Sequence, residues 1–245
     1  MRDVKGLQSD LVETAHLSVD ETGAMFRLME QYFEGVDREN FAADLREKRW
    51  VIVLRDPRHF EVRGFSTITL MEAVVAGRRV KAFYSGDTII DRSCWTPFSL
   101  EKEWTPLVFS HALADPDSLW YWFMVCKGFR TYKYFPVHFH QFWPSPDAAL
   151  PAFERQVLET LATSRFGHFY NPESLVITCP ADYRLKPGVG DISPEKSKNR
   201  YVRFFESSNP GWLTGEELAC LTPLRLNNIK SALRRFLPAH SSQSS

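Results

Sequence analysis

The sequence carries no excess of charge, with 30 Lys and Arg set against 30 Asp and Glu. No whole-chain field draws it to nucleic acid or to a lipid surface, so any anionic ligand must be held locally. Long hydrophobic runs are missing as well. No uninterrupted apolar segment approaches the roughly 20 residues of a membrane-spanning helix, and Met1-Arg2-Asp3 does not lead into an apolar leader. Cysteine is sparse: Cys94, Cys126, Cys179 and Cys220 show neither metal-type pairing nor a disulfide framework. A reduced, cytoplasmic protein with no nucleic-acid partner and no membrane insertion is the expectation. Internal repeats are also absent.

What the sequence does have is core. At 245 residues and 44% hydrophobic content it suits a single domain over residues 1–245. Aromatic residues are abundant, with 19 Phe, 8 Tyr and 7 Trp. They fit either a bulky core or a pocket for a long apolar group.

In chain order, Leu11 to Val19 reads as a first strand, and Asp20 caps a helix whose apolar positions run from Met25 to Phe33, with Gly35 as its stop. Asp37 caps a second helix, Glu39 to Lys48. Trp50 to Leu54 is a short buried strand, and Val62 to Glu72 alternates as another. Ala76 to Arg79 turns the chain back into the strand Val80 to Asp91, completing an antiparallel meander. Thr96 and Pro97 suit a helix start, with Leu100, Trp104, Leu107 and Val108 inside and Pro106 as a kink or a break. Leu119 to Cys126 is continuously apolar and belongs deep in the sheet. A short helix capped by Thr131, a helix from Ala148 to Ser164, and strands at Ser174 to Thr178 and Tyr201 to Glu206 follow. A long polar loop over 181–199 is a candidate lid. A helix from Leu224 to Leu237 and a disordered Ser-rich tail end the chain.

The stretch around which the rest is organised is Val80 to Asp91, whose β-branched ends enclose the polar centre Ser85-Gly86-Asp87-Thr88. Glycine within a strand marks a bulge or a close approach of other groups. A hairpin tip at Gly86-Asp87 is the bland alternative, but Ile89-Ile90 resumes an apolar run at once.

A strand, two helices, a three-strand meander, a helix, an apolar strand and a Gly-Phe turn occur in that order. With Arg63-Gly64-Phe65, the polar-centred strand Phe83 to Ile90 and Lys127-Gly128-Phe129, this order resembles the GNAT superfamily of acyl-CoA-dependent N-acyltransferases. The resemblance covers roughly residues 11–134 and extends more weakly to Glu206, giving a fold core over about 11–206. It implies an α/β (α+β) fold, with a mixed, mainly antiparallel central sheet flanked by helices. It also implies a wedge between the strands at Ser85 to Ile90 and at Leu119 to Cys126, where an acyl thioester would sit. The donor pyrophosphate would lie on helix-N-terminal amides near Cys94 to Ser99. There the chain departs from the family, with Arg92-Ser93-Cys94-Trp95-Thr96-Pro97 in place of spaced glycines.

The resemblance implies transfer of an acyl group, with the aromatic content pointing to a longer or fatty one, from acyl-CoA or an acyl carrier protein. The acceptor is a primary amine of a small molecule, an amino acid or a peptide side chain, and attack is direct. A non-catalytic acyl-thioester or small-molecule binding protein on the same scaffold is the alternative. Transfer needs a base, oxyanion donors and an acid for the thiolate. Asp87 is the first candidate base, a carboxylate in an apolar strand where desolvation raises its pKa; an acid bonded to bulge amides is the other reading. Ser85 and His138 are further catalytic candidates. Tyr132 lies where similar enzymes place the tyrosine that protonates the thiolate, and Tyr134 competes with it. Gly86, Thr88, Ile89, Trp95, Thr96 and Arg130 are the candidate donor-binding residues, with Lys127 a second cation for phosphates. His138 and His140 share a face if that segment is a strand, but no third ligand stands at a telling spacing, so no metal is expected. Cys94 is a candidate nucleophile for a ping-pong alternative.

Overall fold

The computed structural model describes residues 6–94, 100–178 and 183–238. Its elements are β1 (Gln8–Glu13), α1 (Val19–Tyr32), β2 (Phe33–Glu34), α2 (Arg38–Arg46), β3 (Trp50–Arg55), β4 (Val62–Val75), β5 (Arg78–Ile90), α3 (Glu101–Ala114), β6 (Leu119–Cys126), α4 (Phe129–Tyr132), α5 (Tyr134–His138), α6 (Ala152–Phe166), β7 (Tyr170–Asn171), β8 (Val176–Ile177), β9 (Arg184–Leu185), α7 (Arg200–Ser208), β10 (Glu217–Pro223) and α8 (Ser231–Arg234). Eight strands form one sheet in the order β1-β3-β4-β5-β6-β10-β8-β7, and β2 pairs with β9 apart from it. The sheet is antiparallel except between β5 and β6. This is the mixed, mainly antiparallel sheet flanked by helices that the resemblance implies.

Local chemistry explains several boundaries. Ser18, not Asp20, caps α1: its hydroxyl accepts from Glu21 N while Glu21 returns a bond to Ser18 N, a reciprocal capping box. Asp37 caps α2 by accepting from Asn40 N at 2.8 Å. Strand β6 is buried along nearly its whole length, which is why its sequence is continuously apolar. One core packs on its side of the sheet around Trp104, Trp122, Phe123, Phe135 and Phe139; a second joins Met25, Phe26, Phe41 and Phe65 under α1 and α2. Much of the aromatic content is therefore core.

Three further expectations are corrected. The strand expected at Tyr201 to Glu206 is the helix α7, because Asn199 caps it and Val202 and Phe205 fall on one buried face. The helix expected over Leu224 to Leu237 is only the single turn α8. Instead β10 runs just before it, between β6 and β8, so the central sheet continues beyond Glu206. Helix α3 is capped at Leu100 and accommodates Pro106 in its interior. The start expected at Thr96 and Pro97, and the Ser-rich tail, lie outside the described residues.

Candidate active site

β5 is held by β4 on one side and by β6 on the other, and each pairing is interrupted at the same place. Between the pairs Ser66–Thr88 and Ile68–Ser85, β4 advances two residues and β5 three, so β5 bulges at Gly86 and Asp87. The parallel pairing with β6 ends at Ser85–Met124. Beyond it β5 and β6 part, so that Gly86 to Ile90 border a wedge on the side away from β4. Gly86 is required by space: a Cβ there would come within 2.8 Å of Thr67 Oγ1 and 2.9 Å of Lys48 Cε.

Two cavities open on the wedge. The first, of about 400 Å³, is walled by Ile89, Ile90, Phe129, Tyr134, Val137 and Leu185, with Arg130 and Lys133 also lining it. Arg92 stands close enough to Arg130 that their mutual repulsion, after burial, lowers the Arg130 pKa. The second cavity, of about 600 Å³, is lined by acids, Asp37, Asp44, Asp87 and Glu217, among Phe33, Val36, Phe41 and Phe166. Thr88, Phe33, Lys127 and Thr131 border both. A small hollow of about 30 Å³ behind the first shares Thr88, Glu101, Tyr134 and His138 with it.

Asp87 projects from the bulge into the second cavity. Burial pushes its carboxyl up to about 6, helped by Asp44 and Glu217; the Lys48 ammonium and a hydrogen bond from Tyr183 hold it back. Tyr183 Oη donates to Asp87 Oδ1 at 3.1 Å. Lys48 is buried with Asp44 as its partner at 2.5 Å, and Asp44 is also bound by Arg165 at 2.5 Å. Lys127 donates to Glu217 at 2.8 Å and to the carbonyls of Tyr183 and Gly215 at 3.0 and 2.9 Å. A carboxylate poised near neutral pH, facing a cavity, suits proton abstraction from an ammonium.

The other candidates divide. Gly86 lines the second cavity; Ile89, Arg130 and His138 line the first; Thr88 borders both and bonds Ser66 Oγ at 2.8 Å. His138 Nε2 lies 2.9 Å from Glu101 Oε1 in a buried pair. Ser85 lies behind the wedge and accepts from Trp122 Nε1 at 2.9 Å. Tyr132 is not brought to either cavity: it is fully buried, its hydroxyl donates to the Pro144 carbonyl at 2.9 Å, and burial raises its pKa far above the usual phenol range. Tyr134, two residues on and at the start of α5, lines the first cavity, and burial followed by the Glu101 charge raises its pKa too. His138 ends α5 while His140 lies exposed beyond it, so they do not share a strand face. No group of three or more His, Cys, Asp or Glu side chains among the described residues has the arrangement of a metal site. Trp95 and Thr96 lie outside the described residues; Cys94 is partly exposed in the turn before them. Sequence reasoning missed Lys48, Asp44, Arg165, Tyr183 and Glu217, which reach the site from four separate segments. No described helix is long and apolar enough to cross a membrane.

Comparison with protein-family models gives no match, and neither does comparison with curated proteins. Solved structures do match. Saccharomyces cerevisiae N-myristoyltransferase with bound myristoyl-CoA is 13% identical over 52% of this chain, with a TM-score of 0.37. The chain spans only 30% of that enzyme's length. Glucosamine-6-phosphate N-acetyltransferase from Arabidopsis thaliana is 14% identical over 52% of this chain and 89% of its own, with a TM-score of 0.36. A GNAT family N-acetyltransferase from Escherichia coli in complex with CoA is 16% identical over 55% of this chain and 70% of its own, with a TM-score of 0.35. The element order, the mixed sheet and the wedge beyond the parallel pair β5 and β6 are, among the described residues, those that the resemblance read from the sequence implies.

Proposed function

We propose that the protein is an N-acyltransferase that moves an acyl group from an acyl-CoA thioester to a primary amine by direct attack. The observation that carries this is the position of Asp87, at the bulge where two cavities meet, with its carboxyl pushed up to about 6. The thioester occupies the first cavity with its carbonyl near Thr88, and Arg130 with Arg92 receives its phosphates. Apolar walls from Ile89, Ile90, Phe129 and Val137 favour an acyl chain longer than acetyl. The amine enters the second cavity, whose four carboxyl side chains outnumber its two cations, Lys127 and Arg165. Asp87 takes a proton from the ammonium, the neutral nitrogen attacks the carbonyl carbon, and the C–S bond breaks. Tyr134, which lines the first cavity, gives its proton to the departing thiolate, and the second proton lost by the nitrogen restores the phenol.

The test is to incubate the protein with acyl-CoA of graded chain length and a panel of primary amines, following free thiol and acylated amine by mass. Amine-dependent thiol release that Asp87→Asn lowers by about 10²-fold or more supports the reading. Absence of any acylated amine across the panel overturns it.

A further inference from the structure

Residues 183–190 cross the mouth of the wedge and are fixed there from several sides. Arg184 and Leu185 pair as β9 with Glu34 and Phe33 of β2, and Arg184 Nε donates to Glu34 Oε2 at 2.7 Å. Lys186 N donates to the Tyr32 carbonyl at 2.9 Å. Lys127 binds the Tyr183 carbonyl from below. Gly215, at φ +101°, packs so closely that a Cβ there would lie 2.6 Å from that same oxygen. With its backbone held in this way, the Tyr183 ring stacks on Phe33 at 5.3 Å and 17° and lies 4.3 Å from the Lys127 ammonium.

This placement carries the Tyr183 hydroxyl to Asp87 Oδ1, across 96 residues of chain. The other carboxylate oxygen, Oδ2, receives no hydrogen bond from any described residue, and Asp87 lines the second cavity. One oxygen is thus occupied and the other is offered to the acceptor. Resting on the reading of Asp87 as the base, we infer that Tyr183 is a positioning residue: it anchors Asp87 through Oδ1 so that Oδ2 meets the acceptor ammonium, which makes the strap over residues 183–190 part of the active site.

The chemistry suits a phenol. One proton moves from the ammonium nitrogen to Asp87 Oδ2, the nitrogen bonds to the carbonyl carbon, the sulfur leaves with the C–S electron pair, and the nitrogen's second departing proton ends on the sulfur by way of Tyr134. Tyr183 keeps its own proton throughout. A lysine in its place would add a full charge and draw the carboxylate out of the range in which it accepts a proton, whereas a neutral hydroxyl orients it at a smaller cost in basicity. Asp87 is also faced by Asp44 on α2, Lys48 after α2, Lys127 after β6 and Glu217 on β10, all of which remain when Tyr183 is altered.

Tyr183→Phe removes the hydroxyl and keeps the ring that stacks on Phe33. Two readouts decide the matter: titration of the Asp87 carboxyl by carbon NMR in the free protein, and the pH profile of amine-dependent turnover. The expected result is an Asp87 titration moved to higher pH, with kcat/KM for the amine lowered about tenfold, the worth of one hydrogen bond to a charged group, and KM for the thioester unchanged. An Asp87 titration left where it was, or a profile identical to that of the unaltered protein, overturns the inference and reduces Tyr183 to packing. If the titration moves but no amine is acylated by either protein, the acyl-transfer reading fails and the positioning role fails with it, leaving a structural hydrogen bond.

Discussion

Lys48, its side chain only 1% exposed, pairs at 2.5 Å beneath the bulge with Asp44, whose side chain is 38% exposed. One helical turn separates them, and the pair is placed so that Lys48 approaches Gly86 while Asp44 lines the second cavity. Both bear on Asp87 with opposite signs: Asp44 raises its carboxyl pKa and Lys48 lowers it.

Lys48→Met therefore shifts the acidic limb of the activity profile to higher pH. Removing the ammonium takes away a stabilising influence on the Asp87 carboxylate, while Asp44 keeps Arg165 as its partner. The measurement is kcat/KM for the amine across pH at fixed thioester. A limb that stays in place or moves to lower pH contradicts the electrostatic account.

Asp87→Asn separates stability from activity. The native carboxyl sits at about 6 against an ordinary 3.8, so between those values the native state holds a proton that the unfolded state has lost. Stability consequently falls as pH rises through that window, and above it the charged form costs up to about 3 kcal/mol. The amide, which still accepts from Tyr183, is expected to raise stability at neutral pH by about 1–3 kcal/mol, with no gain below about pH 4. Urea unfolding of both proteins at the two pH values checks this.

Gly86→Ala tests the close approach under the bulge. The added methyl meets Thr67 Oγ1 and Lys48 Cε at under 3 Å, and both side chains are buried. The expected cost is about 1–3 kcal/mol in denaturant unfolding, accompanied by a changed Asp87 titration as Lys48 is pushed aside. A variant as stable as the parent would mean that Lys48 has room to withdraw.

Lys127→Met cuts three tethers at once, to Glu217, the Tyr183 carbonyl and the Gly215 carbonyl, and leaves Glu217 buried without its cation. A loss of about 3–5 kcal/mol is expected, with amide exchange around residues 183–190 rising more than in the sheet. Uniform loosening instead would show that the strap does not depend on this lysine.

Tyr134→Phe and Tyr132→Phe should differ. The first lines the cavity proposed for the thioester, so its loss slows amine-dependent thiol release; the hydroxyl of the second bonds the Pro144 carbonyl away from both cavities, so its loss costs about 1 kcal/mol of stability and no turnover. Equal effects on thiol release would refute the assignment.

The parts of the fold legible in the sequence were those whose pattern reports burial directly. Strand β6 reads as eight apolar residues because both its faces are covered, and α1 reads by its helical spacing. Strand β10 was missed because Glu217 and Pro223 bound a short run that resembles a helix lead-in. Helix α7 was misread because Tyr201, Val202, Phe204 and Phe205 favour strands, although Asn199 offered a capping signal. At the site, Gly86 and Asp87 were visible as polar residues inside an apolar strand. Lys48, Arg165 and Glu217 were not, since each is an ordinary charged residue locally and acquires its role only where distant segments meet.

The placement of β10 also governs how the chain reaches this structure. Its partner β6 is complete by Cys126, yet the antiparallel half of its pairing waits for residues 217–223. On the ribosome, an apolar eight-residue strand thus spends the synthesis of some ninety further residues with one edge unpaired. Such an edge is a template for association with other chains, so truncation before Pro223 is expected to raise the share of the product that aggregates, read as a shift from supernatant to pellet relative to the full chain.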